Sequence, residues 1–284
     1  MKLTVAKSAG FCFGVKRAVN MVYGEAAEAD VPVYTYGPII HNEEVVRDLE
    51  EKGVTVVTDL DKLSELPKGK IIIRSHGISK AEQDKMKESG FEILDATCPF
   101  VLKIHRLAEE YSKNGYTVVV AGNPDHPEVK GILGWVENMS AYTVQTPEDV
   151  NNLPIKQGEK VCFVAQTTFN YNKFQELVEI IEKKGYDISV LDTICNATEE
   201  RQTEAREVAR QSDVMIVIGD KHSSNTQKLY EISKKECANT YYIQTTKDMD
   251  YHQIKSINNV GITAGASTPN YIIEEVSKNV RNEL

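Results

Sequence analysis

The chain has 284 residues, 41% hydrophobic and 26% charged, with 42 acidic against 33 basic side chains and a formal net charge of −9. That length and apolar content can bury a sizeable core, and nothing in the composition reads as disordered. The acidic balance argues against a nucleic-acid or anionic-membrane surface, which needs clustered Lys and Arg. No apolar span of ~18 residues, signal peptide or Arg-rich transit segment is visible, so a cytoplasmic protein is expected.

The first predicted element is the strand Lys2 to Ala6, which leads to Cys12. An amphipathic stretch follows, then the β-branched run Val33-Tyr34-Thr35-Tyr36-Gly37, a helix start at His41 to Glu43, and the apolar run Ile71-Ile72-Ile73 ending in Arg74-Ser75-His76. The same series then recurs. Leu94-Asp95-Ala96-Thr97-Cys98 opens a second copy with Val118-Val119-Val120-Ala121-Gly122, a helix start at His126 to Glu128, and Phe163-Val164-Ala165-Gln166-Thr167-Thr168. Leu191-Asp192-Thr193-Ile194-Cys195 opens a third, with Val214-Met215-Ile216-Val217-Ile218-Gly219, Ser223 to Asn225, and Gly261-Ile262-Thr263-Ala264-Gly265-Ala266-Ser267 before a last helix, Tyr271 to Val280. Cysteine and glycine are separated by 25, 24 and 24 residues in the three copies. A polar side chain stands four residues past each glycine (His41, His126, Ser223) and another six past (Glu43, Glu128, Asn225).

Self-similarity of this kind marks a repeat architecture. Strands alternating with helices imply parallel sheets with crossover helices, so the fold class is α/β. The expected arrangement is three pseudo-symmetric small units, over residues 13–97, 98–194 and 195–284, around a central site. The third unit lacks a closing strand at its C-terminal end, and the N-terminal segment 1–12 can supply it. In open α/β sheets ligands bind beyond the carboxyl ends of the strands, where all three cysteines and the repeated polar loops fall.

Five cysteines in a chain without an export signal read as thiols or metal ligands rather than disulfides. Cys162, inside Val161-Cys162-Phe163-Val164, reads as a small buried apolar residue, and Cys237, at the end of a charged helix, as a surface or half-buried thiol. Cys12, Cys98 and Cys195 differ because each stands at a strand-to-helix junction, where exposed helix N–H groups favour a thiolate. Structural zinc usually takes four protein ligands with pairs in Cys-x-x-Cys loops, and no such pair exists here. A 4Fe–4S cluster normally takes four cysteines. Three would leave one iron open to substrate, as a Lewis acid and an electron donor.

The segments Ala9-Gly10-Phe11-Cys12-Phe13-Gly14-Val15, Gly37-Pro38-Ile39-Ile40-His41-Asn42, Arg74-Ser75-His76-Gly77, Asp95-Ala96-Thr97-Cys98-Pro99, His126-Pro127-Glu128-Val129, Gln166-Thr167-Thr168, Ser223-Ser224-Asn225 and Ala264-Gly265-Ala266-Ser267 resemble the 4-hydroxy-3-methylbut-2-enyl diphosphate reductases. The likeness runs from the first strand to the final helix. It implies the last step of the non-mevalonate isoprenoid pathway: reductive dehydroxylation of 4-hydroxy-3-methylbut-2-enyl diphosphate to isopentenyl and dimethylallyl diphosphates. It also implies a three-domain fold around one oxygen-sensitive 4Fe–4S cluster, with Cys12, Cys98 and Cys195 as ligands and one open iron.

By the same likeness His41, His76, His126, Ser223, Ser224, Asn225 and Ser267 form the diphosphate pocket, Glu128 is the proton source and Thr167 relays or orients the proton. Each has a plainer reading: Ser-Ser-Asn before a helix is often an N-cap, and an acidic side chain in a first helical turn complements the helix dipole. Recurrence at matching positions favours the functional reading. His105, His222 and His252 gain no such support and read as structural or solvent-facing. No Gly-x-Gly-x-x-Gly loop follows a strand, so electrons must come from outside, a ferredoxin or flavodoxin being the donor the likeness implies. An iron–sulfur redox sensor and a cluster-dependent hydro-lyase are the competing classes. Turnover with and without a reductant separates them.

Overall fold

The structure is a computed structural model that describes residues 2–254 and 257–283. Strand β1 (Lys2–Val5) precedes three copies of one chain path. The first runs α1 (Phe13–Glu28), β2 (Val33–Tyr36), α2 (Glu43–Glu51), β3 (Thr55–Val57), β4 (Lys70–Ile73), α3 (Lys80–Glu88) and β5 (Glu92–Asp95). The second runs α4 (Pro99–Lys113), β6 (Thr117–Ala121), α5 (Pro127–Leu133), β7 (Ala141–Val144), α6 (Pro147–Asn151), β8 (Lys160–Ala165), α7 (Tyr171–Glu182) and β9 (Asp187–Val190). The third runs α8 (Asn196–Arg210), β10 (Val214–Ile218), α9 (Ser224–Glu236), β11 (Thr240–Ile243), β12 (Asn259–Ala264) and α10 (Asn270–Glu283).

Local chemistry accounts for these boundaries. Pro99, Pro127 and Pro147 each open a helix, where the missing N–H costs nothing. Ser79 and Glu82 close a reciprocal capping box at the start of α3. The strands β2, β6 and β10 are buried at every residue, as strands covered by helices on both faces must be.

The three sheets share one topology. Written as second, first, third and fourth strand of each repeat, their orders are β3-β2-β4-β5, β7-β6-β8-β9 and β11-β10-β12-β1, and every pairing is parallel. In each repeat the chain leaves its first strand toward one edge and its third toward the other, so a topological switch point lies between β2 and β4, β6 and β8, and β10 and β12. Strand β1 is the fourth strand of the third sheet, with Lys2 opposite Asn259 and Val5 opposite Ile262. The N-terminal strand thus pairs with the C-terminal third and not with Val33 to Tyr36.

The chain gathers into two compact bodies. One holds the sheet containing β1 with its helices, the Cys12 segment and residues 40–47; the other holds the remaining two sheets. Among the described residues no helix is long and apolar enough to cross a membrane.

Cys162 lies fully buried in β8, and burial pushes its thiol up to about 12. The surface or half-buried placement expected for Cys237 is corrected: it is 5% exposed. Cys237 is the extended residue that ends α9, so its side chain leaves the charged helical face and packs with Ala6, Ala205, Val208 and Leu229. His105 is likewise buried on α4 and stacks on Trp135.

Lys2 and Ala6 donate their N–H groups to the carbonyls of Asn258 and Ile262, so by the strand alternation Thr4 also donates to β12. Thr4→Pro should therefore destabilise the protein by about 2 kcal/mol or more, read as a lower midpoint of chemical unfolding, whereas Thr4→Ala should shift it by less than half as much.

Candidate functional site

One backbone arrangement recurs at the carboxyl end of each sheet. The N–H of each repeat-opening cysteine is donated to the carbonyl of the second residue past a third strand: Cys98 to Ser75 at 3.0 Å, Cys195 to Thr167 at 3.0 Å and Cys12 to Ala266 at 3.4 Å. All three cysteines are partly exposed and none is in a disulfide, in contrast to buried Cys162 and Cys237. The loops before two of them are held by arginines. Arg17 of α1 donates to the carbonyls of Thr97 (3.1 Å) and Asp95 (3.0 Å), and Arg201 of α8 donates to the carbonyl of Gly10 (2.8 Å).

In the body that carries the first two sheets, His126, Glu128 and Thr167 meet at the β6/β8 switch point. His126 is the N-cap of α5, and its Nδ1 accepts the N–H of Glu128 at 3.1 Å. An accepting Nδ1 places the ring proton on Nε2, so the neutral imidazole is a donor through that nitrogen. The Glu128 carboxylate accepts the Thr167 N–H at 2.6 Å and the Thr167 hydroxyl at 2.8 Å. With Glu128 only 2% exposed, burial pushes its carboxyl up to about 7, against the opposing pull of the two Thr167 hydrogen bonds. Gly122 is required here, because a Cβ would come within 2.8 Å of Val129 and 3.0 Å of Gln166.

His76 extends from the end of β4 and lies edge-on to His126, with ring centroids 5.4 Å apart. Ser75 fixes its loop by donating both its N–H (3.2 Å) and its hydroxyl (3.0 Å) to the carbonyl of Ile39. Gly77 follows at φ +72° against the His105 ring, where a side chain would clash.

In the other body the β10/β12 switch point brings Ser223, Asn225 and Ser267 together. Ser223 caps α9 by accepting the Thr226 N–H at 3.3 Å, and its hydroxyl is 3.4 Å from that of Ser267. Asn225 Oδ1 accepts the N–H of Ala266 at 3.0 Å. This repeats the Glu128–Thr167 bond with an amide in place of a carboxyl. Asn225 is 4% exposed, and among the described residues its Nδ2 has no partner. Ser224 is the partly exposed first residue of α9, and His41 is a partly exposed residue before the start of α2. The corresponding position of the first repeat has diverged, since Glu43 is exposed and bonds to Gln244.

Sequence reasoning passed over Arg17, Arg201 and Asn42. Asn42 lies buried with its Oδ1 on the Val45 N–H at 3.0 Å and its Nδ2 without a partner among the described residues. The signal for Arg17 and Arg201 was present as cations five and six residues past a cysteine, but their carbonyl acceptors are distant in sequence.

The raised Glu128 pKa has a consequence for stability. Between its unfolded value near 4.5 and its folded value near 7 the folded state holds a proton that the unfolded state has released, so this group's contribution is full below pH 4.5 and declines until about pH 7. Glu128→Gln keeps the hydrogen bonds without the titration. In unfolding measurements it should match the parent near pH 4.5 and exceed it at pH 8, by up to about 3 kcal/mol.

A family model described as LytB protein matches residues 3–281. Over 284 residues the chain is 47% identical to the 4-hydroxy-3-methylbut-2-enyl diphosphate reductase of Caldanaerobacter subterraneus subsp. tengcongensis, covering 99% of this chain and 97% of the relative. It is 45% identical over 276 residues to the enzyme of that name from Clostridioides difficile, covering 97% and 98%. Among solved structures it resembles an (E)-4-hydroxy-3-methyl-but-2-enyl diphosphate reductase described as the terminal enzyme of the non-mevalonate pathway, at 40% identity and TM-score 0.71, covering 99% of this chain and all of that one. It also resembles the E-1-hydroxy-2-methyl-but-2-enyl-4-diphosphate reductase from Plasmodium falciparum, at 29% identity and TM-score 0.91, covering 99% and 87%. With the family match reaching from β1 into α10, this chain belongs to the LytB family.

Proposed function

We propose that this chain reductively dehydroxylates 4-hydroxy-3-methylbut-2-enyl diphosphate, giving isopentenyl and dimethylallyl diphosphates in the cytoplasm. The observation that carries the reading is the Glu128–Thr167 pair: a buried carboxyl raised to about 7, within hydrogen-bond reach of a hydroxyl at the end of a parallel sheet. A carboxyl that still holds its proton near neutral pH is what a general acid for a departing hydroxyl requires.

The three repeats, 13–97, 98–194 and 195–284 closed by 1–12, would each contribute one thiol to a 4Fe–4S cluster. Their chemistry suits it. Cys12, Cys98 and Cys195 are presented by the same backbone bond and stay partly exposed, whereas the other two cysteines are buried. Three thiolates leave one iron without a protein ligand. When bound, the cluster supplies electrons and a Lewis-acidic iron for the substrate hydroxyl.

The remaining work falls to the chain's own side chains. The overall change consumes two electrons and two protons: the allylic C–O bond breaks, the oxygen leaves as water, and the electron pair left on the allylic unit takes a proton at either end. Two isomeric products follow. Protonated Glu128 can donate to the Thr167 oxygen while the Thr167 hydroxyl passes its own proton to the leaving oxygen. The diphosphate would be bound by His41, His76, His126, Ser223, Ser224, Asn225 and Ser267. Supporting this are the Nε2 donor fixed on His126, the Asn225 Nδ2, which has no partner among the described residues, and the N-terminus of α9. Helix N-termini with neutral donors suit an anion in a chain that is itself acidic.

Anaerobic purification with iron and sulfide analysis tests the centre. Cys12→Ser, Cys98→Ser and Cys195→Ser should each lose cluster, while Cys162→Ser and Cys237→Ser keep it; an unchanged iron content in the first three would overturn the ligand assignment. Steady-state kinetics on cluster-replete protein test the rest. Glu128→Gln should lower turnover by about 100-fold or more at near-normal substrate affinity, and near-normal turnover would remove Glu128 from the mechanism. Ser223→Ala or Asn225→Ala should raise KM by about 10-fold with a smaller effect on kcat, as expected for groups that hold ground and transition states alike.

A further inference from the structure

We propose that the exposed face at the start of α4 is the docking surface for a small acidic one-electron carrier protein. The inference rests on the reductive reading above, which needs two electrons from outside the chain. Cys98 is the N-cap of α4, so the first turns of this helix are surface next to a thiol proposed as a cluster ligand. Val101, Ile104, His105, Ala108 and Ser112 face inward, while Phe100, Lys103 and Arg106 face outward. Phe100 is 42% exposed, as few large apolar side chains here are.

The charges on this helix are unevenly committed. Toward its C-terminal end Lys113 pairs with Glu109 and Glu137, and Lys80 of the neighbouring α3 pairs with the same two carboxylates. Lys103 and Arg106 form no ion pair among the described residues. The surplus of positive charge is therefore concentrated in the first turns, beside Cys98. The equivalent turns of α8 after Cys195 expose Asn196, Glu199 and Glu200, and those of α1 after Cys12 expose Phe13 and Lys16.

In a chain of net charge −9 a negative partner is repelled by the molecule as a whole, and a local positive face then sets where and in what orientation it lands. An exposed aromatic beside two cations matches a small transient interface, with Phe100 as anchor and Lys103 and Arg106 steering. Electron entry next to Cys98 gives the docking a purpose, and an acidic iron–sulfur or flavin carrier delivers the two electrons singly. Two or three cations are too few for nucleic acid.

The test compares two reductants on the cluster-replete enzyme: a reduced acidic bacterial ferredoxin, and methyl viologen, a small cation that needs no docking surface. In the double variant Lys103→Glu with Arg106→Glu, KM for ferredoxin should rise 10-fold or more and the salt dependence of the ferredoxin-driven rate should flatten, while viologen-driven kcat and iron content stay unchanged. Phe100→Ala should raise the same KM several-fold and leave the salt dependence in place. Calorimetric titration with ferredoxin should show the matching loss of affinity. An unchanged KM for ferredoxin in the double variant, or an equal fall in the viologen rate, overturns the proposal. Parent enzyme that turns over with viologen and never with ferredoxin also overturns it and leaves the reductive function intact, whereas turnover with neither defeats the function itself.

Discussion

The bond from each repeat-opening cysteine N–H to the carbonyl of the second residue past a third strand is the constraint on which the candidate site depends. It ties the exit of each sheet's fourth strand to the exit of its third, using Ser75, Thr167 and Ala266 as anchors. In two of the three cases the anchor's own N–H is also committed across the switch point, Thr167 to Glu128 and Ala266 to Asn225. A single loop residue thereby fixes a thiol on one side and a polar side chain on the other. Displacing either loop leaves buried backbone groups unpaired, which costs more than the net value of the bonds.

The same scaffold carries two different chemistries because one position differs. Six residues past the strand-end glycine the second repeat has Glu128 and the third has Asn225, and both accept the same kind of backbone N–H. The carboxyl titrates and the amide does not. Burial acts on that difference: it raises Glu128 to about 7, whereas Asn225 stays a neutral donor with its Nδ2 unsatisfied among the described residues. In the first repeat the equivalent Glu43 is exposed, and Ser75 turns to the Ile39 carbonyl instead. Repetition supplied three frames, and local divergence gave each a different bonding partner at the switch point.

Neutral donors dominate where an anion is expected. His126 is fixed as an Nε2 donor by the helix it caps, and Ser223 has its oxygen engaged by the Thr226 N–H and the Ser267 hydroxyl, which leaves its own hydroxyl proton to be donated elsewhere. Helix N-termini then contribute partial positive charge without a lysine cluster. Two arginines near the cysteine loops are used differently. Arg17 and Arg201 hold the loops that precede Cys98 and Cys12 through carbonyl oxygens.

Much of this was legible in the residue order. Strand periodicity, the glycines at strand ends and the cysteine recurrence are local or periodic signals, so they gave the α/β class, the three units and the N-terminal strand as the partner of the last sheet, realised as β1 against β12. The family motifs carried the site assignments. What no local signal could give was the environment of each side chain. Cys237 sits at the end of a charged helix in sequence and is buried in the fold, because its burial depends on Ala6 and Ala205, far away along the chain. The protonation of Glu128 depends on desolvation and on Thr167, 39 residues further on. A pKa is set by whatever surrounds a group in three dimensions. The sequence by itself determined which chemical groups stand at the strand ends, and the tertiary structure decided which of them are buried, bonded and able to keep a proton.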